Sequence, residues 1–350
     1  MKLKAYVLEE IGRLEYKEVG KPVLKMGEVL VEVQAAGICG SDIPRIFQTG
    51  TYNFPLIPGH EFSGRVVKAF EESDKIWIGK RVGIFPLIPC GSCFACKEEK
   101  YEMCCHYNYI GSRCNGGFAE YVAVPTWNVI ELPEKITFEE AAMLEPASVA
   151  LHAVRRVNLD EVKTVALFGL GTIGILMTQW LHIFGIKVLF AVGHQDGYGS
   201  LMQQTADREY QYINSTKEDS TSWIMEQTNQ EGVDLAIDCA GTKETIESCL
   251  KTVRPGGHVL VVGNPKGDIE LEKNVYWKIL RHQIRLTGTW NSSFHHSPQD
   301  DWQTTIQKCC EGKLLLKNLI THKFKFDELD RGLDIMNNNT EFRNKIMICK

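Results

Sequence analysis

The sequence predicts an α/β protein whose first part is rich in β-strands and whose second part is a doubly wound parallel sheet. Turn signals recur about every ten residues over roughly the first 135 residues, which is typical of an all-β body. A Gly-x-Gly-x-x-Gly motif follows an apolar strand and opens a helix. Further apolar strands follow at spacings that leave room for one helix between neighbours, which favours a parallel sheet.

The composition is that of a globular protein, with 44% hydrophobic and 24% charged residues among 350. This length fits two domains. The net charge of -5 and the lack of a polybasic run argue against a nucleic-acid partner, which needs a basic face. The N-terminus reaches Glu9 and Glu10 before any stretch apolar enough for a signal peptide. We therefore expect a cytoplasmic protein whose 12 cysteines are thiols and metal ligands.

The longest apolar region, residues 165–192, is interrupted by glycine and polar residues. A bilayer helix needs about 20 consecutive apolar residues, so we predict a buried strand, helix and strand here and no membrane partner.

Four segments of the first part are the clearest strand predictions. They are residues 29–33, 62–67, 81–85 and 118–124. Cys39 lies in the turn that leaves the first of these strands, and Pro58-Gly59 predicts a turn just before His60 and Glu61. Thiolate, imidazole and carboxylate groups all bind zinc, and a catalytic zinc keeps one position open. The segment is therefore interpreted as half of a catalytic zinc site, the alternative being a core cysteine and a loop histidine.

A second set of cysteines has the tightest spacing in the sequence. Cys90, Cys93 and Cys96 follow one another at steps of three, and Cys104 comes eight residues later. Four thiolates at this spacing predict a closed tetrahedral zinc site. Cys105 adjoins Cys104, so the spacing leaves open which of the two is the fourth ligand.

A helical period begins at Thr137, which with Glu140 predicts a capping box. Pro146 predicts a stop or kink directly after Glu145, whose carboxylate is a candidate zinc ligand if it lies beside the metal.

The glycine motif follows the predicted strand 165–168 and precedes the predicted helix 175–184. Its glycines permit a tight turn, the approach of a pyrophosphate and close packing of helix on strand. Its residues are Gly169, Leu170, Gly171, Thr172, Ile173 and Gly174. Further strands are predicted at 187–192, 234–238, 258–262 and 284–288. Additional candidate cofactor contacts at strand ends are Gly193, Val262, Gly263 and Thr289.

The last part of the chain is predicted as a strand at 320–324, a helix at 327–337 and a strand at 345–349. We expect this segment to return to the first domain. The predicted domains are 1–150, 151–292 and the returning segment 293–350.

These motifs occur together in the order and spacing of the zinc-dependent medium-chain dehydrogenases, which the sequence resembles over essentially its whole length. The segments concerned are 37–42, 58–61, the cysteine quartet, Glu145-Pro146 and the glycine motif. Within the family the chain is most similar to the polyol dehydrogenases, and among these to the enzymes that act on galactitol 1-phosphate. That closer similarity lies in residues 40–47, 110–113, 116–121 and 288–291.

The resemblance implies a GroES-like catalytic domain, a Rossmann domain and a homodimer or homotetramer. The two separate ligand sets predict two zinc ions per chain. It implies that Cys39 and His60 bind the catalytic zinc, with Glu61 and Glu145 as alternative carboxylate ligands. Asp42 would orient His60, and the hydroxyl of Ser41 would accept the substrate proton. Pro44 stands where the family's proton relay often has a histidine.

The resemblance also bears on the cofactor. NAD-preferring Rossmann domains carry an acid at the end of the second strand, where this sequence has Gly193. Without that acid, a 2'-phosphate is not repelled, and the glycine leaves room for one, so NADP is favoured over NAD. Either Arg208 or Lys187 would have to reach in to contact the phosphate.

The predicted reaction is the reversible oxidation of a secondary alcohol of a polyol or polyol phosphate to a ketone, with hydride passing to the nicotinamide. Arg45 and Arg113 are candidate phosphate contacts, because a guanidinium suits phosphate oxygens, and Glu145 is a candidate substrate contact. The alternatives are an unphosphorylated sorbitol-type substrate, a zinc-free NADPH-dependent quinone or enone reductase, and a non-catalytic scaffold.

Overall fold

The computed structural model describes residues 2–205 and 210–350. Its strands are β1 (Lys2–Glu10), β2 (Arg13–Gly20), β3 (Glu28–Ile38), β4 (Glu61–Ala69), β5 (Arg81–Ile84), β6 (Leu87–Ile88), β7 (Asn108–Tyr109), β8 (Tyr121–Pro125), β9 (Val129–Glu131), β10 (Thr164–Phe168), β11 (Val188–Gly193), β12 (Gln211–Asn214), β13 (Val233–Asp238), β14 (Val253–Val261), β15 (Arg285–Gly288), β16 (Ile320–Lys325) and β17 (Lys345–Cys349). Its α-helices are α1 (Asp42–Phe47), α2 (Phe94–Lys97), α3 (Phe138–Ala142), α4 (Leu144–Arg155), α5 (Thr172–Ile183), α6 (Gly197–Gln203), α7 (Ser220–Gln227), α8 (Lys243–Thr252), α9 (Lys273–Arg281), α10 (Asp301–Cys310) and α11 (Leu329–Asn338).

The chain divides into two compact units. Unit 1 comprises Met1–Glu145, Ser293–Gly312 and Leu319–Lys350, and unit 2 comprises Pro146–Ser292 and Lys313–Asn318. None of the helices in residues 2–205 and 210–350 is long and apolar enough to cross a bilayer.

Unit 1 is built on a seven-stranded sheet of order β16-β17-β3-β4-β5-β9, with β8 also paired to β3. The central strand β3 buries Val29, Val31 and Val33 completely, because alternate residues of a strand face the same side. Strand β17 from the end of the chain lies antiparallel to β3. The ends of strands that are far apart in the sequence therefore meet in this sheet.

Unit 2 is built on a six-stranded sheet of order β12-β11-β10-β13-β14-β15, and every pair in it is parallel. Counted from β10, this is the strand order 3-2-1-4-5-6 of a Rossmann domain. The predicted fold class, a β-rich domain followed by a doubly wound parallel sheet, is confirmed. The edge strand β12 was not predicted from the sequence.

The helix break near Glu145 falls earlier than predicted. Thr137 and Glu140 form the predicted capping box of α3, which ends at Ala142 and has Met143 as its C-cap. Pro146 lies in the first turn of α4. Backbone N–H groups in the first turn make no hydrogen bond within the helix, so the missing N–H of proline costs nothing there. The expectation that Pro146 itself stops or kinks the helix is therefore wrong.

Candidate active site

The residues of the first predicted zinc site lie close together because the end of β3 adjoins the starts of β4 and β17. Cys39 directly follows β3, and His60 directly precedes β4. Gly37 of β3 pairs with Glu61 of β4, and Ile38 pairs with Ile346 of β17. The antiparallel pairing brings the end of β3 beside the start of β4, so a cysteine and a histidine 21 positions apart become neighbours.

The donor atoms of this cluster fit a zinc ion. One sulfur, one imidazole nitrogen and one carboxylate oxygen, from Cys39, His60 and Glu61, lie within 4.8 Å of one another. His60 and Glu61 are buried. A mixed set of three ligands leaves a coordination position for water or substrate. The hydroxyl of Ser41 lies 3.3 Å from the sulfur of Cys39, so it borders the same position.

Asp42 lies behind His60 and is fully buried. Its Oδ1 is 3.6 Å from the Nδ1 of His60 and accepts a hydrogen bond of 2.7 Å from the Nη1 of Arg45. Its Oδ2 accepts the backbone N–H of Cys39 at 3.0 Å. Burial opposes ionisation of Asp42, but the neighbouring charge of His60 lowers its pKa below the usual value. Since Nδ1 faces Asp42, the other ring nitrogen of His60 is the one left for a metal.

Glu145 lies near the cluster but is not part of the group of three. Its Oε1 accepts a hydrogen bond of 3.2 Å from the hydroxyl of Tyr109, whose ring meets that of His60 edge-on at 5.9 Å. Burial raises the pKa of Glu145 to about 7, with His60 acting against this and Glu61 adding to it. In the structure, Glu61, and not Glu145, therefore lies with the two other predicted ligands.

Two residues at this site were missed in the sequence, Tyr109 and Lys345. The ammonium of Lys345 donates to Glu61 Oε2 at 2.5 Å and to the carbonyl of Ile38 at 3.2 Å. Lys345 opens an apolar strand 284 positions from its partner, and no local pattern in the sequence indicates that partner. Tyr109 lies in the two-residue strand β7, and no sequence motif around it indicates a place at the site.

The cysteine quartet has the dimensions of a zinc site. The sulfur of Cys93 lies 3.5 Å from that of Cys96 and 3.8 Å from that of Cys104, and the sulfurs of Cys90 and Cys96 are 3.9 Å apart. Zinc–sulfur bonds of about 2.3 Å in a tetrahedron place sulfurs about 3.8 Å apart, so the four thiols fit one ion. Cys105 is exposed and lies outside the cluster. Of the two adjacent cysteines, Cys104 thus lies with the other three.

The glycine motif in unit 2 has the geometry expected of a pyrophosphate-binding turn. A Cβ on Gly174 would lie 2.0 Å from the carbonyl oxygen of Gly169, so only glycine allows the helix to approach the strand this closely. A Cβ on Gly171, by contrast, would meet no atom of the described residues within 4 Å. The turn is thus closed on the side of the sheet and open where a phosphate would approach. Leu170 is buried at its base, and Thr172 and Ile173 open α5.

The remaining predicted cofactor residues follow the carboxyl ends of the parallel strands. The N–H groups of Val262 and Gly263 both donate to the carbonyl of Asp238 at 2.9 Å. The backbone of Thr289 donates to Val261, while its buried hydroxyl has no hydrogen-bond partner among the described residues. These residues share one edge of the sheet with the glycine motif, because all six strands are parallel.

The surroundings of Gly193 differ from the expectation in two ways. A Cβ on Gly193 would lie 3.1 Å from ring atoms of both Tyr198 and Tyr212, so aromatic rings already occupy the space beside it. Lys187 precedes β11, whereas Gly193 ends it, and six residues of strand span about 20 Å. Lys187 therefore lies at the wrong end of the strand to assist at Gly193. Arg208 lies outside the described residues.

The two predicted phosphate contacts are held in different ways. The side chain of Arg45 is bound to Asp42 and is 19% exposed. The guanidinium of Arg113 lies between the rings of Tyr52 and Tyr107, 4.1 Å from each centroid, and donates to the carbonyl of Tyr107 at 2.9 Å. The ring of Tyr107 in turn meets that of Tyr109 at 6.1 Å. A continuous row of rings thus joins Arg113 to the metal cluster.

Comparison with known proteins agrees with both halves of this description. The model of the alcohol dehydrogenase GroES-like domain matches residues 25–134, and that of zinc-binding dehydrogenases matches residues 172–311. The chain is 32% identical to galactitol 1-phosphate 5-dehydrogenase of Escherichia coli (strain K12) over 96% of its own length and 97% of that protein. It is 28% identical to sorbitol dehydrogenase of Bacillus subtilis (strain 168), covering 99% and 96% of the two chains.

Solved structures show the same similarity. The crystal structure of galactitol-1-phosphate dehydrogenase from Escherichia coli matches with a TM-score of 0.88 over 99% of this chain and 100% of that one, at 32% identity. A structure from Sinorhizobium meliloti 1021, described as a zinc-binding dehydrogenase bound to NADP, matches with a TM-score of 0.90 over 100% of both chains, at 27% identity.

Proposed function

This chain belongs to the zinc-dependent medium-chain dehydrogenases, in their polyol dehydrogenase branch, and we propose that it oxidises a secondary alcohol of a polyol phosphate to a ketone. A nicotinamide dinucleotide takes up the hydride. The proposal rests on the cluster of Cys39, His60 and Glu61, whose donor atoms lie within 4.8 Å of one another beside the hydroxyl of Ser41.

The chain's own residues have distinct tasks in this reaction. Cys39, His60 and Glu61 would hold the catalytic zinc, with Glu145 as the alternative carboxylate. When bound, zinc acts as a Lewis acid on the substrate oxygen. Ser41 takes the proton of the substrate alcohol, and Asp42 fixes the orientation of His60. Since Pro44 carries no polar group, the proton leaves Ser41 through water or another group.

A second zinc in the cysteine quartet would be structural, because all four of its ligands are thiolates and no position stays open. We therefore propose two zinc ions per chain. The near-tetrahedral sulfur distances of 3.5–3.9 Å support this proposal.

We propose a preference for NADP(H). Gly193 provides no carboxylate for the ribose 2'-hydroxyl at the end of β11. The nearest following acid, Asp196, is already bound at 2.7 Å by the ammonium of Lys217 and at 2.9 Å by the amide of Asn214. The similar structure from Sinorhizobium meliloti is bound to NADP.

The phosphate of the substrate is assigned to Arg113. A planar guanidinium stacked between two rings is held in place at little entropic cost, and only its Nη1 donates to a described residue, which leaves the other N–H groups for phosphate oxygens. Similarity to the galactitol 1-phosphate enzyme supports a phosphorylated substrate. Similarity to a sorbitol dehydrogenase supports the unphosphorylated alternative.

The decisive experiment is a kinetic panel of polyols and polyol phosphates, each assayed with NAD and NADP. We expect the highest kcat/KM with a polyol phosphate and NADP. Equal activity on galactitol 1-phosphate and galactitol would contradict the phosphate assignment. Loss of zinc without loss of activity would contradict the proposed chemistry and favour a zinc-free reductase.

Substitution of the two arginines separates their roles. Arg113→Met should raise KM for the polyol phosphate roughly 10- to 100-fold and leave the free polyol unaffected, because a hydrogen bond to a charged group contributes about 1.5–3 kcal/mol. Arg45→Met should lower kcat for both substrates alike, because Arg45 supports Asp42. Unchanged discrimination in the Arg113 variant would move the phosphate site elsewhere.

A further inference from the structure

Unit 2 contains a cavity of about 230 Å³ at the amino ends of its strands. The proposed reaction assigns no role to this cavity. The glycine motif follows the carboxyl end of β10, so the cavity lies at the opposite end of the same sheet. The charged or ionisable residues that line it are Arg156, Glu161, Asp234, Arg254, His258 and Arg285.

The parallel sheet explains why these residues converge. Asp234, Arg254 and Arg285 lie at or next to the first residues of β13, β14 and β15. Neighbouring parallel strands begin at the same edge, so side chains at their starts lie close together. His258 is paired directly with Arg285 across β14 and β15. Arg156 follows the end of α4 and closes the group.

The cavity has more positive charge than its own carboxylates neutralise. Its three guanidinium groups face two carboxylates. Asp234 is fully engaged, since Oδ1 accepts from Arg254 Nε at 2.6 Å and Oδ2 accepts the N–H groups of Lys163 and Thr164 at 2.8 Å. Glu161 lies 3.5 Å from Arg285, but their side chains are 63% and 60% exposed, so water screens this pair.

The cation in excess is Arg156. Its guanidinium has no hydrogen bond or ion pair to any residue in the described part of the chain. The imidazole of His258 needs no counter-ion, because burial, and then the charge of Arg285, lower its pKa below the usual value. Its Nε2 lies 2.7 Å from the hydroxyl of Thr287.

We propose that this cavity is a binding site for a phosphate group, held by Arg156, Arg254 and Arg285. The ligand is inorganic phosphate or the phosphate of a small metabolite. Guanidinium groups offer paired N–H donors that match phosphate oxygens, and three of them converge here. The volume is smaller than the roughly 300–1,000 Å³ of sites for larger organic ligands, which suits an ion of this size. A bound phosphate would tie the starts of β14 and β15 to the segment after α4.

The test is isothermal titration calorimetry of the zinc-loaded enzyme saturated with NADP. The cofactor occupies the glycine motif, and each titration is repeated with Arg113→Met so that binding at the proposed substrate-phosphate contact is identified separately. Inorganic phosphate and glycerol 2-phosphate are titrated separately at constant ionic strength, and the tighter of the two identifies the source of the phosphate group. We expect saturable binding of one equivalent per chain.

Three variants make the outcome specific. Arg156→Gln combined with Arg285→Gln should weaken binding at least tenfold, and Arg156→Glu alone should abolish it. Both positions are exposed, and Arg156 has no partner in the described residues, so the fold tolerates these changes. Arg281→Gln removes an exposed arginine outside the cavity, which stacks on Trp277, and should bind like the wild type. Absence of saturable binding in the wild type, or equal binding in all variants, would overturn the proposal.

Discussion

Lys345 and Glu61 form a buried ion pair directly beside the predicted metal ligands. Their side chains are 3% and 1% exposed, and the ammonium and carboxylate are 2.5 Å apart. Burial opposes the charge of Lys345, but Glu61 and Cys39 raise its pKa above the usual value, so the ammonium is held in its charged form. The pair therefore fixes the position of Glu61 at the site.

Removing this cation should destabilise the protein strongly. In the zinc-free protein, Lys345→Met leaves the Glu61 carboxylate buried without its partner, which costs roughly 3–5 kcal/mol in comparable cases. Lys350→Met breaks a pair of the same residue types, Lys350 with Glu32, in which the lysine is 51% exposed, and solvent screening limits its cost to below about 1 kcal/mol. Urea unfolding of both variants measures the difference. Equal losses of stability would show that burial of the first pair has no special effect.

The proposed preference for NADP(H) rests on Gly193. Gly193→Asp restores an acceptor for the ribose 2'-hydroxyl and repels a 2'-phosphate, so the ratio of NADP to NAD affinity should fall at least tenfold, about 1.4 kcal/mol. The new Cβ would press on Tyr198 and Tyr212 at 3.1 Å. Gly193→Ala adds this Cβ without the charge and is the matched control. Fluorescence titration with both cofactors measures the affinities, and an equal shift in both variants would attribute the effect to packing alone.

At the scale of an element, we expect the segment with the cysteine quartet to depend on the proposed metal. It contains only the four-residue helix α2 and a single short 3-10 helix, Tyr101–Met103, and its exposed Phe94 and Met103 contribute little to a core. Cross-linking by a bound zinc would supply the stability that apolar burial does not.

Cys93→Ser should lower the zinc content by about one equivalent and reduce the melting temperature, because structural zinc contributes folding free energy directly. Cys105→Ser changes the neighbouring exposed thiol and should leave both quantities unchanged. Metal analysis and thermal unfolding of freshly purified proteins provide the measurements. One zinc or none in the wild type would contradict the assignment of two sites.

At the scale of the whole molecule, we propose β15 as a surface through which copies of the chain associate. It is an edge strand of the six-stranded sheet and, among the described strands, pairs only with β14. Leu286 on this strand is 52% exposed, and Leu280 on the preceding helix α9 is 60% exposed. The unpaired N–H and C=O groups of an edge strand are a template for pairing with another chain, so we expect a homo-oligomer that uses this edge.

Leu286→Glu should therefore shift the enzyme from a dimer or tetramer towards smaller species in sedimentation velocity. Val23→Glu places the same charge on another exposed apolar residue, 87% exposed in unit 1, and should leave the distribution unchanged. A wild-type monomer, or an unaltered Leu286 variant, would refute association through this edge.

Much of the candidate site could be predicted because its signals are local. The spacing of Cys90, Cys93 and Cys96 requires only a short loop to bring sulfurs together, and a glycine turn between strand and helix requires only the residues on either side. The capping box of Thr137 and Glu140 spans three residues and forms as predicted. Such features depend on the backbone conformation of a few consecutive residues, and the identities of those residues determine that conformation.

The sequence by itself determined the fold class, the clustering of the four cysteines and the glycine turn. Only the tertiary structure decided that Lys345 pairs with Glu61, that Glu61 rather than Glu145 joins Cys39 and His60, and that Arg45 is bound to Asp42. Likewise, only the tertiary structure showed that the rings of two tyrosines occupy the space beside Gly193. The reason is physical: contacts between residues far apart in the chain are set by strand register and by burial in the assembled sheet, and neither leaves a periodic or compositional trace at the residues concerned.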